Sequence, residues 1–404
     1  MRAALLLFLA AAVPAQAGED DGNKAEITPI AQLQMWGTAF DQDQADQADG
    51  AGYGDPEHDM GFSIRRARVG LEGHKGALDF QLDFGLSAPY DSVRAAGRSG
   101  PEFAFANAYA RGSTLLGPGV ARASFGLVRV PFARERLMSS RQLTFQERAV
   151  GIAWIGPSQD LGVLLDYELD AGVRIQAGVY NGGGNLFTDD NDGVMVAGRI
   201  EYAKGETYLT YGEAKDGVDL GIAASAYWND DVATDRIAAE VDALVRVSRL
   251  TLMVEAATLF IQPGDSTIDL PDAFDPTQQL GLTGQVSYWI PVGEDVGSDA
   301  ERSAIEAAVR VGTFDDNMAL SDNGDVLIAD VGGTWRNVTG GVDLGLGFIH
   351  REELGGRGIP NDTVRLWGQL RWPIRPVRTT SSSVVPKVPA PDLPPADEMM
   401  PGPR

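Results

Sequence analysis

GFSIRRARVGLEGHKGALDFQLDFGL, residues 61–86, reads as two strands joined by a tight turn. In its second half Leu78, Phe80, Leu82, Phe84 and Leu86 alternate with Asp79, Gln81, Asp83 and Gly85. A repeat of two rather than 3.6 puts the apolar set on one face of a strand and the polar set on the other. In the first half Arg66, Arg68, Gly70 and Glu72 share one face and Ala67, Val69 and Leu71 the other, with Gly73-His74-Lys75-Gly76 as the turn. One face carries full charges; the other carries none beyond Arg65 at its entry. A soluble sandwich buries one such face and wets the other, whereas a membrane barrel turns the greasy face to lipid. The hairpin alone fits both.

The alternation recurs along the chain and decides the matter. Besides the hairpin, strands are expected at residues 27–40, 102–111, 120–131, 161–168, 172–180, 194–203, 218–228, 236–247, 250–260, 280–290, 302–313, 326–336, 338–350 and 363–372. That makes sixteen, and Thr207–Ala214 reads as a candidate for one more. If the first strand runs outward, the long polar connections 41–60, 89–101, 132–160, 181–193, 229–235, 261–279, 314–325 and 351–362 all fall on one side. The connections on the other side are mostly short, 204–217 and 291–301 excepted. Ten-residue strands, an even count and this loop asymmetry describe an all-β, transmembrane antiparallel β-barrel of a bacterial outer membrane. A β-helix would show a short fixed repeat, and none is present. A sandwich array would show a linker every hundred or so residues, and none occurs before Pro373.

The ends bound the barrel domain to residues 27–372. Met1–Ala17 has Arg2, an apolar run and the exit Ala15-Gln16-Ala17, which reads as an export signal peptide cleaved before Gly18. Residues 18–26 form a polar leader. Residues 373–404 hold nine prolines and a TTSSS run, so a disordered, Pro-rich tail is expected there. The chain has no Cys, which excludes a disulfide framework and thiolate metal sites. A net charge of −24 argues against nucleic acid as a partner. That charge is uneven: residues 61–150 hold 13 Lys/Arg against 7 Asp/Glu, a surplus of +6, so −30 lies elsewhere.

FSIRRARVGLEGHKGALDFQLDFG (62–85), GLVRVPFARERLMSSRQLTFQERA (126–149) and AGVYNGGG (177–184), in that order, resemble the phosphate-selective porin O and P family. The resemblance implies sixteen strands, a third extracellular loop folded into the pore, and a homotrimer. It also implies partners in keeping with an outer-membrane channel: lipid, lipopolysaccharide, the barrel assembly machinery, and small anions or other hydrophilic solutes. Two features depart from it. Trp372 is followed by the Pro-rich tail rather than ending the chain, and the acidic balance pulls against phosphate selectivity.

A barrel of sixteen strands is too wide to be filled by its own side chains, so whatever narrows it sets selectivity. Phe132–Trp154 lacks clean alternation and carries Arg134, Arg136, Arg141 and Arg148 against Glu135 and Glu147. With Arg66, Arg68 and Arg129 on neighbouring strand faces, these arginines form a candidate cationic constriction, since guanidinium stays charged and grips phosphate or carboxylate bidentately. Glu135 and Glu147 alternatively pair with them and pin the loop to the wall. Against this, Asp79, Asp83, Asp166, Glu168, Glu201, Asp219, Glu240, Asp242, Glu255, Glu306, Asp330 and Asp343 fall on lumen faces, and an acidic vestibule favours cations. The expected function is therefore passive diffusion of small hydrophilic solutes and ions, with anion preference at the narrow point.

Two other classes were weighed. A barrel enzyme needs a base or nucleophile pair, and His58, His74 and His350 lie in a loop, a turn and a strand end with no such spacing. A structural or wall-anchored barrel without conductance remains the second reading. Asp190-Asn191-Asp192-Gly193 fails as a calcium loop because its first and twelfth positions would be Thr188 and Arg199. Gly182-Gly183-Gly184 lacks the Lys-Ser/Thr of a phosphate cradle. No catalytic residue, metal or cofactor is expected. Trp36, Tyr180, Tyr202, Trp228, Tyr288, Trp289, Trp335 and Trp372, near strand ends, are expected to form interfacial girdles.

Overall fold

The computed structural model describes residues 25–42, 61–87, 102–183, 193–209, 211–214, 216–230, 234–263, 276–293, 302–321, 324–355 and 360–372. The export signal, nearly all of the polar leader, His58 and the tail 373–404 lie outside the described residues.

Among the described residues there are sixteen strands: β1 (Glu26–Gln42), β2 (Gly61–Lys75), β3 (Leu78–Ser87), β4 (Glu102–Leu115), β5 (Gly119–Arg129), β6 (Gln159–Leu169), β7 (Val173–Tyr180) and β8 (Met195–Lys204). The second half is β9 (Val218–Asp230), β10 (Thr234–Val247), β11 (Leu250–Pro263), β12 (Thr277–Pro291), β13 (Ala304–Asp315), β14 (Val326–Thr339), β15 (Val342–Glu353) and β16 (Pro360–Trp372). Each pairs antiparallel with its neighbours in sequence, and β1 pairs β16 from Ala31↔Trp372 to Gln42↔Asn361, so the sheet is a closed barrel. Closure removes the unpaired strand edges that a membrane cannot solvate.

Period two sorts the side chains as the sequence suggests. On β10 Glu240, Asp242 and Arg246 point inward and are buried, while Ile237, Val241 and Val247 are exposed on the outside. Leu71, Leu82, Leu165 and Ile175 likewise lie on the outer surface, where lipid is their solvent.

Four expectations need correction. The first hairpin turns at Gly76-Ala77 rather than over Gly73–Gly76, because Gly73 and His74 still pair with Phe80 and Asp79. The hairpin expected to turn at 337 instead turns at Gly340-Gly341, both with positive φ (50° and 89°), and a register irregularity follows Trp335. Glycine adopts that left-handed backbone without steric cost. Among the aromatics, Tyr202, Trp228, Tyr288, Trp335 and Trp372 are exposed outward, but Trp36, Tyr180 and Trp289 are buried inside. Strand parity decides this, since Tyr288 and Trp289 are adjacent and must face opposite sides. The described residues of Thr207–Ala214 form no strand; Thr207, Tyr208, Leu209, Tyr211 and Ala214 are buried in the lumen.

Candidate functional site

The connection from β5 to β6, residues 130–158 (L3 below), enters the barrel. It contains two short helical turns, α1 (Arg134–Leu137) and α2 (Val150–Ile155), and almost every side chain between them is buried. The chain turns inward at Ala133, which holds a positive φ of 55° and whose N–H donates to Ser225 Oγ at 3.3 Å. Phe132 packs edge-on to Tyr227, with ring centroids 5.0 Å apart. On the far wall α2 touches β12 backbone to backbone: a Cβ added to Gly151 would lie 2.7 Å from Gly281 Cα. Only glycine permits this approach.

A loop buried without regular structure needs partners for its backbone, and the wall supplies them. Gln34 Nε2 donates to Ser140 O (3.2 Å), Gln369 Nε2 to Arg141 O (3.2 Å), Arg336 Nη2 to Leu143 O (2.7 Å) and Arg66 Nη1 to Gln146 O (3.1 Å). Thr144 Oγ1 donates to Glu306 and accepts from Gln285. These contacts reach β1, β2, β12, β13, β14 and β16, so L3 spans the lumen.

The acidic pair Glu135 and Glu147 engages mainly arginines of the wall. Glu147 lies 2.6 Å from Arg65 Nε and accepts from Arg66 Nη2 at 3.0 Å. Burial pushes its carboxyl up, but Arg65 and Arg66 outweigh that and hold it at about 2. Glu135 accepts from Arg310 Nη1 at 3.2 Å and from the Ala149 N–H at 2.7 Å. In the other direction Arg134, fully buried, donates to Asp242 (2.7 Å), Glu201 (2.8 Å) and Thr207 O (2.9 Å). Burial pulls that guanidinium down, and Asp242 and Glu201 more than compensate, holding it above its ordinary value.

The candidate constriction residues therefore separate into two groups. Arg134 is neutralised inside L3's root. Arg136 donates to Ala153 O and ties α1 to α2. Arg66 clamps Glu147, and Arg141 is buried 3.8 Å from Asp83. Arg68, Arg129 and Arg148, by contrast, stay partly exposed in the lumen. Arg129 Nη1 donates to Leu137 O (2.6 Å) and Met138 O (2.8 Å), and Arg148 donates to Glu135 O (2.9 Å) and Met138 O (2.8 Å). These carbonyls fix the guanidinium groups, and Asp83 is the carboxylate that acts on Arg68 and Arg129. Arg148 is close enough to Arg66, Arg68 and Arg129 to repel each of them.

Sequence reasoning missed the arginines of the wall. Asp166 is held by Arg174 (2.5 Å) and Arg122 (3.4 Å), Asp219 by Arg246 (2.6 Å), Asp242 by Arg199 (2.6 Å) and Glu306 by Arg336 (2.6 Å). Asp330 pairs with Arg310 (2.7 Å), Asp343 with Arg371 (3.0 Å) and Asp79 with Arg111 (3.0 Å). The available signal was parity: each such arginine lies on the same face of its strand as the carboxylates. Glu240, Asp242 and Glu255 bring ligand atoms within 4.8 Å of one another. Arg134 and Arg199 already supply positive charge there, and Glu255 accepts the Glu135 N–H at 2.9 Å. That cluster anchors L3.

Residues 38–238 match the family model described as phosphate-selective porin O and P. No curated protein matches the sequence. Among solved structures, the anion-selective porin from Comamonas acidovorans aligns with a TM-score of 0.53 at 13% identity, covering 86% of this chain and 100% of that one. The outer-membrane channel DcaP of Acinetobacter baumannii gives 0.52 at 13% identity, over 88% and 100%. OmpT of Vibrio cholerae in its trimer form gives 0.53 at 10% identity, over 86% and 99%. At such identities the likeness establishes a shared barrel fold.

Proposed function

The chain belongs to the phosphate-selective porin O and P family and is an outer-membrane channel protein; from that premise we propose that it passes small hydrophilic solutes passively and prefers anions at Arg68, Arg129 and Arg148. The observation that carries the preference is that Arg68, Arg129 and Arg148 keep part of their surface in the lumen, where an ion can reach them. Most of the lumen carboxylates named above sit against buried arginines, whereas these three partly exposed guanidinium groups donate to backbone carbonyls or to Ser140 Oγ (3.4 Å from Arg68), with Asp83 the carboxylate that acts on Arg68 and Arg129. An exposed cation raises the local concentration of anions, and its planar fork suits phosphate and carboxylate.

The same reading assigns the chain no bond-making chemistry. The anion-selective and trimeric neighbours fit a homotrimer with this preference, and residues 1–17 fit export to the outer membrane. Reversal potentials across planar bilayers under a KCl gradient test the assignment. Wild type should be anion-selective, and a variant with Arg68→Gln and Arg148→Gln should move toward cation permeation. Clear cation selectivity of the wild type would overturn the arginine assignment.

A further inference from the structure

The connection from β8 to β9, residues 205–217, lies at the periplasmic end and needs only to join adjacent strands. Gly340-Gly341 does that job between β14 and β15 with two residues. Its described residues 205–209 and 211–214 instead fold up into the lumen, burying Thr207, Tyr208, Leu209, Tyr211 and Ala214. Tyr208 packs beneath L3 against Leu137, Met138 and Leu143, and its hydroxyl donates to Glu201. Arg246 donates to Glu206 O (3.1 Å) and to Leu209 O. Farther round, Tyr211 stacks on Trp289 of β12 with centroids 5.3 Å apart, and Arg336 of β14 lies 4.4 Å above its ring. The segment thus leaves β8, passes under L3 and reaches the wall five strands beyond β9.

We propose that residues 205–209 and 211–214 form a strap that closes the β8–β14 half of the lumen from below and directs solutes past the β2–β5 half. The strap closes its half with aromatic and aliphatic side chains, which exclude water and ions. The opposite half carries Arg68 on β2 and Arg129 on β5, with Arg148 of L3 beside them. The carboxylates of β8–β11, which would favour cations, lie behind the strap and the root of L3. Arg134 joins the two closures, since one guanidinium bonds Thr207 O of the strap and Asp242 and Glu201 of the wall. The strap therefore sharpens whatever selectivity the arginines impose, a consequence that rests on the anion reading above; the closure itself does not.

The test is single-channel conductance of the full chain with residues 206–214 replaced by a Gly-Asn turn. Current through a wet pore follows its open cross-section, so conductance should rise about twofold, and reversal potentials should move toward cations. Unchanged conductance in a folded, heat-modifiable barrel overturns the proposal and leaves the strap as packing alone. If the replacement does not fold, Tyr208→Ala combined with Tyr211→Ala decides by the same criterion, with Tyr208→Phe expected to conduct as wild type because it keeps the ring. A conductance rise in a protein that proves cation-selective removes the anion reading and leaves the strap standing.

Discussion

Replacing Glu147 with Gln should free L3 while leaving the barrel closed. The carboxylate sits between Arg65 (2.6 Å) and Arg66 (3.0 Å), all three nearly excluded from solvent. It is held at about 2, against an ordinary value of 4.5. A gap of about 2.5 pH units at about 1.36 kcal/mol each makes the anchor worth about 3 kcal/mol. Because the attached-loop value is the lower one, the contribution is complete above about pH 4.5 and drains away as the pH falls toward 2. Removing the charge should therefore raise the detached-loop population roughly a hundredfold at neutral pH. Sixteen paired strands remain untouched, so the loss is local. The assay is current flicker in planar bilayers. Glu147→Gln should flicker at about pH 7 as the wild type does only well below pH 4.5. A quiet Glu147→Gln channel at neutral pH would refute this account of the anchor, as would a wild type whose flicker grows on raising the pH.

Other perturbations separate loop, wall and lipid face. Arg134→Ala leaves Asp242 and Glu201 buried with less counter-charge and should cost about 3–5 kcal/mol in loop stability; limited proteolysis of L3 reads this, and adding Asp242→Asn should recover part of it. Gly281→Val forces a side chain to within 2.9 Å of the Gly151 backbone, and overpacking of this kind costs about 1–3 kcal/mol. It should unseat α2 and raise conductance noise with no change in heat-modifiable mobility on gels. Val241→Arg, on the outer face near the middle of β10, should lower the equilibrium folding stability in lipid vesicles by about 2–4 kcal/mol. Thr283→Ser on the lumen face should not.

The barrel was legible because its signal is local and repeated. Alternation at β10 or β7 can be read from eight residues, and strand count and loop asymmetry then follow by addition. Hairpin ends were less legible: where Gly73, Gly76, Gly340 and Gly341 all permit a turn, only the pairing of Gly73 with Phe80 and the register slip after Trp335 choose among them. The lumen was least legible. Arg134 and Arg148 are indistinguishable in sequence, two arginines in one charged loop. The first is extinguished by Glu201 and Asp242, far off in the chain, and the second is held by the carbonyls of Glu135 and Met138 and keeps some surface in the lumen. Residues 205–217 carry Tyr208, Leu209 and Tyr211, apolar enough to pass for a strand. Only the packing of L3 above them shows that they fill the lumen.

Net charge misleads about selectivity in such a channel for a physical reason. A total of −24 counts every carboxylate once, but an ion in the pore responds to field, and a carboxylate 2.6 Å from a guanidinium contributes a short-range dipole. Asp219, Asp242 and Glu306 are each held at that distance, so the acidic excess of the wall largely cancels where the solute passes. What survives is charge on groups that keep some surface in the lumen, as Arg68, Arg129 and Arg148 do. On the reading proposed above, the partly exposed arginines then give an acidic chain a basic passage. The sign of its reversal potential therefore tests whether these three residues or the composition decide selectivity.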